Sequence, residues 1–131
     1  ESFLKKKCLI PANGYYEWKV NNGIKIPHFI QLSSLETIYF AGLWKFYDVT
    51  QSTKKTFTIM TKKANNAIKN IHLRMPIILN INEALDYIEQ KNSIIDENFV
   101  SQIENDLDFF QVSKFVNSPR NNSIECIQHL N

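Results

Sequence analysis

The tripeptide Asn21-Asn22-Gly23 constrains this chain more than any other stretch of it. It stands between two apolar runs, Tyr15–Val20 and Pro27–Leu32. Asparagine and glycine are the residues that tolerate the positive φ of a tight hairpin turn. The two runs are therefore expected to pair antiparallel. Further strand signals flank them. Cys8–Ile10 is apolar and runs into Pro11-Ala12-Asn13-Gly14, turn chemistry in which Asn13 and Gly14 suit positive φ. Thr37–Tyr47 is a long aromatic and β-branched run, and its Gly42 suggests a bulge or a close backbone approach. After a polar loop over Asp48–Lys55, Thr56–Thr61 alternates with the period of two of a half-buried strand.

Helical signals follow. Ala64, Ala67, Ile68 and Ile71 share one helical face, with Thr61 as the expected N-cap. Asn80 and Glu83 have capping-box spacing ahead of an apolar stripe of Ile81, Ala84, Leu85 and Ile88. Asp96 can cap a further helix buried through Phe99, Val100, Ile103 and Leu107, while Phe109–Val116 and Ile124–Ile127 read as closing strands. No repeat, low-complexity tract or linker intervenes. The pattern predicts one α+β domain, mostly antiparallel, with a barrel-like curled sheet and a few short helices.

At 131 residues the chain can build one real core but not two comfortable ones. No apolar run is long enough to span a bilayer, so no membrane role is expected. Two cysteines, Cys8 and Cys126, near opposite ends, fit a reduced intracellular protein better than a cysteine-dense disulfide scaffold, and neither has zinc-site spacing. No metal or cofactor is expected. Charge is uneven: residues 1–63 carry ten Lys against four acids, +6, and residues 64–131 carry five Lys or Arg against nine acids, −4. The basic half, with Lys5–Lys7, Lys54–Lys55 and Lys62–Lys63, permits a phosphate-facing surface or simply a solvated lysine face. Glu1 is not a methionine, and Glu1–Lys7 reads as the continuation of a longer chain, a processed or recombinant fragment.

Three histidines are available. His28 falls in a strand and His129 in the tail, but His72 precedes Leu73-Arg74-Met75-Pro76. Pro76 disfavours helix at Met75, so His72 and Arg74 are expected on an irregular segment feeding a strand, where functional side chains are displayed. A structural hydrogen-bonding role for the pair is the plainer alternative. Glu17 sits among Tyr15, Tyr16 and Trp18. A carboxylate among aromatics loses hydration unless paired, and its pKa tends to rise into a catalytic range. An edge-strand Glu pointing into water fits the pattern as well. Glycine-rich phosphate loops, metalloprotease motifs and nucleophile elbows are absent.

Cys8-Leu9-Ile10-Pro11-Ala12-Asn13-Gly14-Tyr15-Tyr16-Glu17-Trp18-Lys19 resembles the central signature of the SRAP (SOS response-associated peptidase) family. Phe40-Ala41-Gly42-Leu43-Trp44, Phe57-Thr58-Ile59-Met60-Thr61 with Ala64-Asn65, and Ile71-His72-Leu73-Arg74-Met75-Pro76 with Ile78-Leu79 follow in the family's order. Val112-Ser113, Val116-Asn117, Asn121 and Glu125-Cys126-Ile127 are similar to its C-terminal segment.

The resemblance implies a protein that crosslinks covalently to abasic sites in single-stranded DNA during the DNA-damage response. A cysteine at the mature N-terminus supplies the amine and thiol of a thiazolidine. By similarity Glu17 and His72 are the catalytic residues and Arg74 binds DNA phosphate. His72 would protonate the ring oxygen, and Glu17 would shuttle protons at amine and aldehyde. The family's Met-Cys-Gly-Arg start and its Asn-Ala-Arg-x-Glu block have no counterpart in residues 1–131, so the chain resembles the C-terminal two-thirds of one such domain. Cys8, its nitrogen tied in a peptide bond, offers no aminothiol, and this chain alone is expected to be inactive. The resemblance further implies a bacterial, cytoplasmic monomer, nucleoid-associated when bound to DNA, with peptidase or lyase activity in the intact parent. Two other readings stay open: a non-catalytic single-stranded DNA-binding module, in which Trp18 stacks on bases, and a fragment that does not fold alone.

Overall fold

The computed structural model describes residues 6–89 and 95–130; Glu1 and Lys5 lie outside them. The hairpin forms as the turn chemistry requires. β2 (Tyr15–Asn21) and β3 (Ile24–Leu32) pair antiparallel around Asn22 and Gly23, both at positive φ, 50° and 78°. β9 (Leu107–Gln111) joins the other side of β3, which leaves β2 at the edge of this sheet among the described residues.

A second sheet centres on β4 (Ile38–Val49). β1 (Lys7–Ala12) lies along one side of it; β5 (Ser52–Ile59) and β8 (Ile78–Leu79) share the other. Where β5 gives way to β8, Met60 N–H donates to Ala41 O, Ala41 N–H to Ile77 O and Ile77 N–H to Met60 O, so the ladder passes between strands without orphaned groups. The short pair β6 (Thr61–Lys63) and β7 (Arg74–Pro76) makes a third sheet. Every strand pairing among the described residues is antiparallel, and the sheets curl around a common core without closing into a barrel.

β4 divides the interior by its alternation. Ile38 and Phe40, with their partners Ala12 and Ile10, join Ile30, Leu32, Ile68, Ile71, Met75 and Ile78 between the sheets. Tyr39 and Ala41 face the other way, toward α1 (Ile81–Glu89). That helix begins in a complete capping box: Glu83 N–H donates to Asn80 Oδ1 (2.8 Å) and Asn80 N–H to Glu83 Oε1 (2.9 Å).

Several expectations need correction. Ala64–Ile71 is not a helix but two irregular residues and a run of turns over 66–71; Asn65, not Thr61, accepts from Ile68 N–H (3.0 Å), and Thr61 lies in β6. The segment after Asp96 has turns and a 3-10 turn at Glu104–Asp106, and Val100 is exposed. Ala84 and Tyr87 are the buried residues of α1, while Ile81, Leu85 and Ile88 are exposed. Asp48–Lys55 is no loop: β4 and β5 extend through it and turn only at Thr50-Gln51. The strand expected over Phe109–Val116 ends at Gln111, and Lys114–Asn117 and Ile124–Ile127 are 3-10 turns. Gly14 does not have positive φ; a Cβ there would meet Ile30 O at 2.4 Å, so close approach is what requires glycine.

Candidate active site

β2 carries Glu17 on the same face as Tyr15, just beyond the point where Tyr15 packs against the core. Tyr16 and Trp18 take the opposite face, so the carboxylate is not sealed among the aromatics flanking it in sequence. Its side chain is 25% exposed, and Oε1 accepts from Trp18 N–H at 3.2 Å. His72 arrives from the connection between the two strands of the third sheet. The turns after β6 end where His72 N–H donates to Ile68 O, and Ile68 and Ile71 anchor them in the core. There His72 Nδ1 stands 4.0 Å from Glu17 Oε2. The structure thus brings together two residues 55 positions apart in the sequence.

The imidazole is seated by its own neighbour. Nδ1 of His72 stands 3.1 Å from both the N–H and the carbonyl oxygen of Arg74, so it accepts from the former when bare and donates to the latter when it carries a proton. When the ring is protonated, Nδ1–H faces Arg74 O at 3.1 Å and the Glu17 carboxylate beyond it. Both protonation states therefore have a partner, as a group that exchanges protons requires. The 4.0 Å gap is too long for a hydrogen bond and leaves capacity on both side chains.

Glu17, Trp18, Val20, Lys25, His72 and Asn117 line a cleft of about 500 Å³. Trp18 Nε1–H donates to Asn117 Oδ1 (2.8 Å), fixing the indole as one wall. Arg74 is exposed beside this cleft rather than lining it; its Nη2 donates to Thr61 O (3.0 Å) and Thr61 Oγ1 (3.1 Å), so the guanidinium is aimed while most of its donors stay uncommitted. Lys25 and Thr61 join the site without a clear sequence signal. Lys25 offers nothing beyond its charge in a strand, and the spacing of Thr61 suits a helix cap equally well.

A second cleft, of about 530 Å³, is lined by Cys8, Leu9, Ile10, Pro11, Trp44, Lys55, Thr56 and Phe57. It holds no acid–base pair. Burial pushes the Cys8 thiol up, which keeps the sulfur protonated and a poor nucleophile. Cys126 is buried. Among the described residues no cluster of His, Cys, Asp and Glu is arranged to hold a metal ion, and no helix is long and apolar enough to cross a membrane.

A family model described as SOS response associated peptidase (SRAP) matches residues 1–119. The abasic site processing protein YoqW of Bacillus subtilis is 36% identical over 132 residues, which cover 95% of this chain and 58% of that protein. The abasic site processing protein HMCES of Gallus gallus is 30% identical over 146 residues, covering 93% of this chain and 43% of its own. A crystal structure of a protein from Bacteroides thetaiotaomicron has a TM-score of 0.76 at 21% identity, over 98% of this chain and 59% of that one, a likeness of fold. The chain therefore spans less than two thirds of the length of these relatives. Because the family model runs through the strand that carries Glu17 and the segment that carries His72, and over most of the residues between and around them, the chain belongs to the SOS response associated peptidase (SRAP) family.

Proposed function

We propose that the protein carrying this chain processes abasic sites in single-stranded DNA by covalent crosslinking. In this reading Glu17 and His72 move protons, Arg74 holds a phosphate, and residues 1–131 form the C-terminal two-thirds of a single domain. One observation carries it: a carboxylate on β2 and an imidazole on the turn between β6 and β7 meet at a cleft, with each member left under-bonded. The names of the relatives supply the substrate.

The chemistry needs several proton movements. The deoxyribose ring opens to an aldehyde as its ring oxygen gains a proton, which His72 can deliver. An amine adds to the aldehyde carbon and gives a carbinolamine. Loss of water leaves an imine, and a thiol sulfur adds to the imine carbon to close a thiazolidine. One water is released and nothing is oxidised or reduced. Glu17 can take the proton of the attacking amine and return it to the departing hydroxyl. Amine and thiol come from an N-terminal cysteine outside residues 1–131. The reverse reaction, and removal of the initiator methionine that underlies the peptidase description, would use the same pair. The bacterial cytoplasm is the expected setting, with the protein acting as a monomer.

The test offers abasic single-stranded DNA to the protein with its upstream sequence beginning Met-Cys. A denaturant-stable adduct is expected, and none from such a protein sinks the reading. A second reading, DNA binding without chemistry, draws on the far end of β4 and β5. Phe46 and Phe57 are exposed there, and Lys55 Nζ stands 4.6 Å from the Trp44 ring centroid. Affinity indifferent to the abasic site, with no adduct, would favour it.

A further inference from the structure

Behind the cleft lies a buried charge network that the proposed chemistry does not use. Lys62 and Glu104 have side chains 6% and 4% exposed, and Lys62 Nζ donates to both Glu104 oxygens at 2.7 Å and to Phe99 O at 2.7 Å. Glu104 also accepts from Ser101 N–H (2.7 Å) and Asn65 Nδ2 (3.4 Å). A buried pair of this kind adds little stability over apolar residues of the same shape, so its role is sought in geometry.

Its connections run to both halves of the site. Lys62 sits in β6 between Thr61, which holds the Arg74 guanidinium through two hydrogen bonds, and Lys63, which pairs with Arg74. Asn65 opens the turns that end at His72. Its Oδ1 accepts from Ile68 N–H, its carbonyl accepts from Lys69 N–H (2.9 Å), and its own N–H meets Met75 Sδ. Ser101 Oγ–H donates in turn to Glu83, so the start of α1 is tied to the same carboxylate.

We propose that Glu104, acting through Lys62 and Asn65, is a positioning residue that sets His72 and Arg74 against Glu17. The value of this to catalysis rests on the function proposed above; the positioning itself does not. A displacement of about an ångström at a reacting group costs on the order of a hundredfold in rate, so a rigid tie behind two site residues has a kinetic consequence.

The Arg74 amide provides a readout independent of DNA, because it donates to His72 Nδ1 and so senses whether the imidazole is seated. Hydrogen exchange is measured in the full-length protein, with His72→Ala marking the unseated limit. Two variants are compared. Asn65→Asp keeps the Oδ1 acceptor for Ile68 N–H but turns the Glu104 contact into carboxylate against carboxylate. Lys62→Met with Glu104→Gln removes the charge pair and keeps an acceptor for Ser101 N–H. In Asn65→Asp the Arg74 amide should exchange about tenfold faster, the scale of one lost hydrogen bond, while the Phe40 and Ile78 amides keep their protection. The double variant should move the same way, and adduct formation should slow in both. Unchanged Arg74 exchange in Asn65→Asp overturns the proposal whatever the double variant does, and it does so even if the protein makes no adduct. Should the double variant unfold, selective loss of Arg74 protection in Asn65→Asp still sustains it.

Discussion

Glu104 and Glu17 each face a nitrogen partner, yet the fold treats them in opposite ways. The Glu104–Lys62 pair is closed at 2.7 Å with both side chains nearly inaccessible. Glu17 and His72 stand 4.0 Å apart with side chains 25% and 46% exposed. Glu104 commits its lone pairs to Lys62, Ser101 and Asn65, and has nothing left to offer a ligand. Glu17 takes Trp18 N–H on one oxygen and turns the other toward a cleft. A saturated ion pair holds elements together; an unsaturated one is available for chemistry. Both lie behind or beside one short segment, which lets rigid and reactive groups share a scaffold.

The contrast can be broken first at its closed end. Glu104→Ala should strand the Lys62 ammonium and cost about 3–5 kcal/mol of folding stability in urea titration. A loss under about 1 kcal/mol would mean the pair is not sealed as described. At the open end the effects should separate. Glu17→Gln and His72→Ala should slow adduct formation about a hundredfold, yet shift folding stability by no more than about 1 kcal/mol. Destabilisation by either as large as that of Glu104→Ala would remove the distinction.

Two tyrosines give smaller tests of the same idea. Tyr87 OH donates to Gly42 O at 2.7 Å, and Tyr87→Phe should cost about 1 kcal/mol by removing that hydrogen bond, since Gly42 also lies in the β1–β4 ladder. Burial, and then Cys8, push the Tyr87 phenol up to about 12. The unfolded chain releases this proton near the ordinary tyrosine value of about 10. The folded state holds it longer, so stability should fall as pH rises from about 10 toward 12. A pH series of melting temperatures would show that fall, shallower in Tyr87→Phe.

Tyr15 is the smallest case and has the opposite sign. Its hydroxyl is buried without a hydrogen-bond partner, and burial, Glu17 and Glu104 together raise its pKa. Tyr15→Phe should leave stability unchanged or raise it by up to about 1 kcal/mol, again by urea titration. A marked loss would reveal a partner for that hydroxyl between the two carboxylates.

The sequence exposes the strands better than the helices, for physical reasons. Asn22-Gly23 and the Asn80/Glu83 box are local devices whose chemistry is complete within four residues, and both form as expected. Ala64–Ile71 has helical spacing, but a segment so short gains little from propagation. Its Ile68 and Ile71 serve as two hooks into the core while Ala64 N–H bonds across to Leu73 O. After Asp96 the apolar stripe conceals Glu104, whose burial is understandable only once Lys62 is beside it. Family resemblance names the candidate residues one by one, whereas their geometry is not legible in it. The period of two in β2 places Glu17 on the face of Tyr15, but nothing in the sequence announces that this face meets a turn linking two strands of another sheet. Resemblance marks Arg74 as a phosphate binder, but the threonine that aims it carries the spacing of a helix cap.

The seating of His72 on Arg74 gives the imidazole a direction. Nδ1 is held by the chain's own backbone whether the ring is charged or neutral, so the nitrogen free to meet substrate is Nε2. A ring pinned at one nitrogen works like a hinged latch with a single outward face. In the reaction proposed above, it would exchange a proton with a sugar that enters from that face and be silent toward one that enters from behind. On that reading, a lesion presented in the wrong orientation would be passed over even with its strand bound.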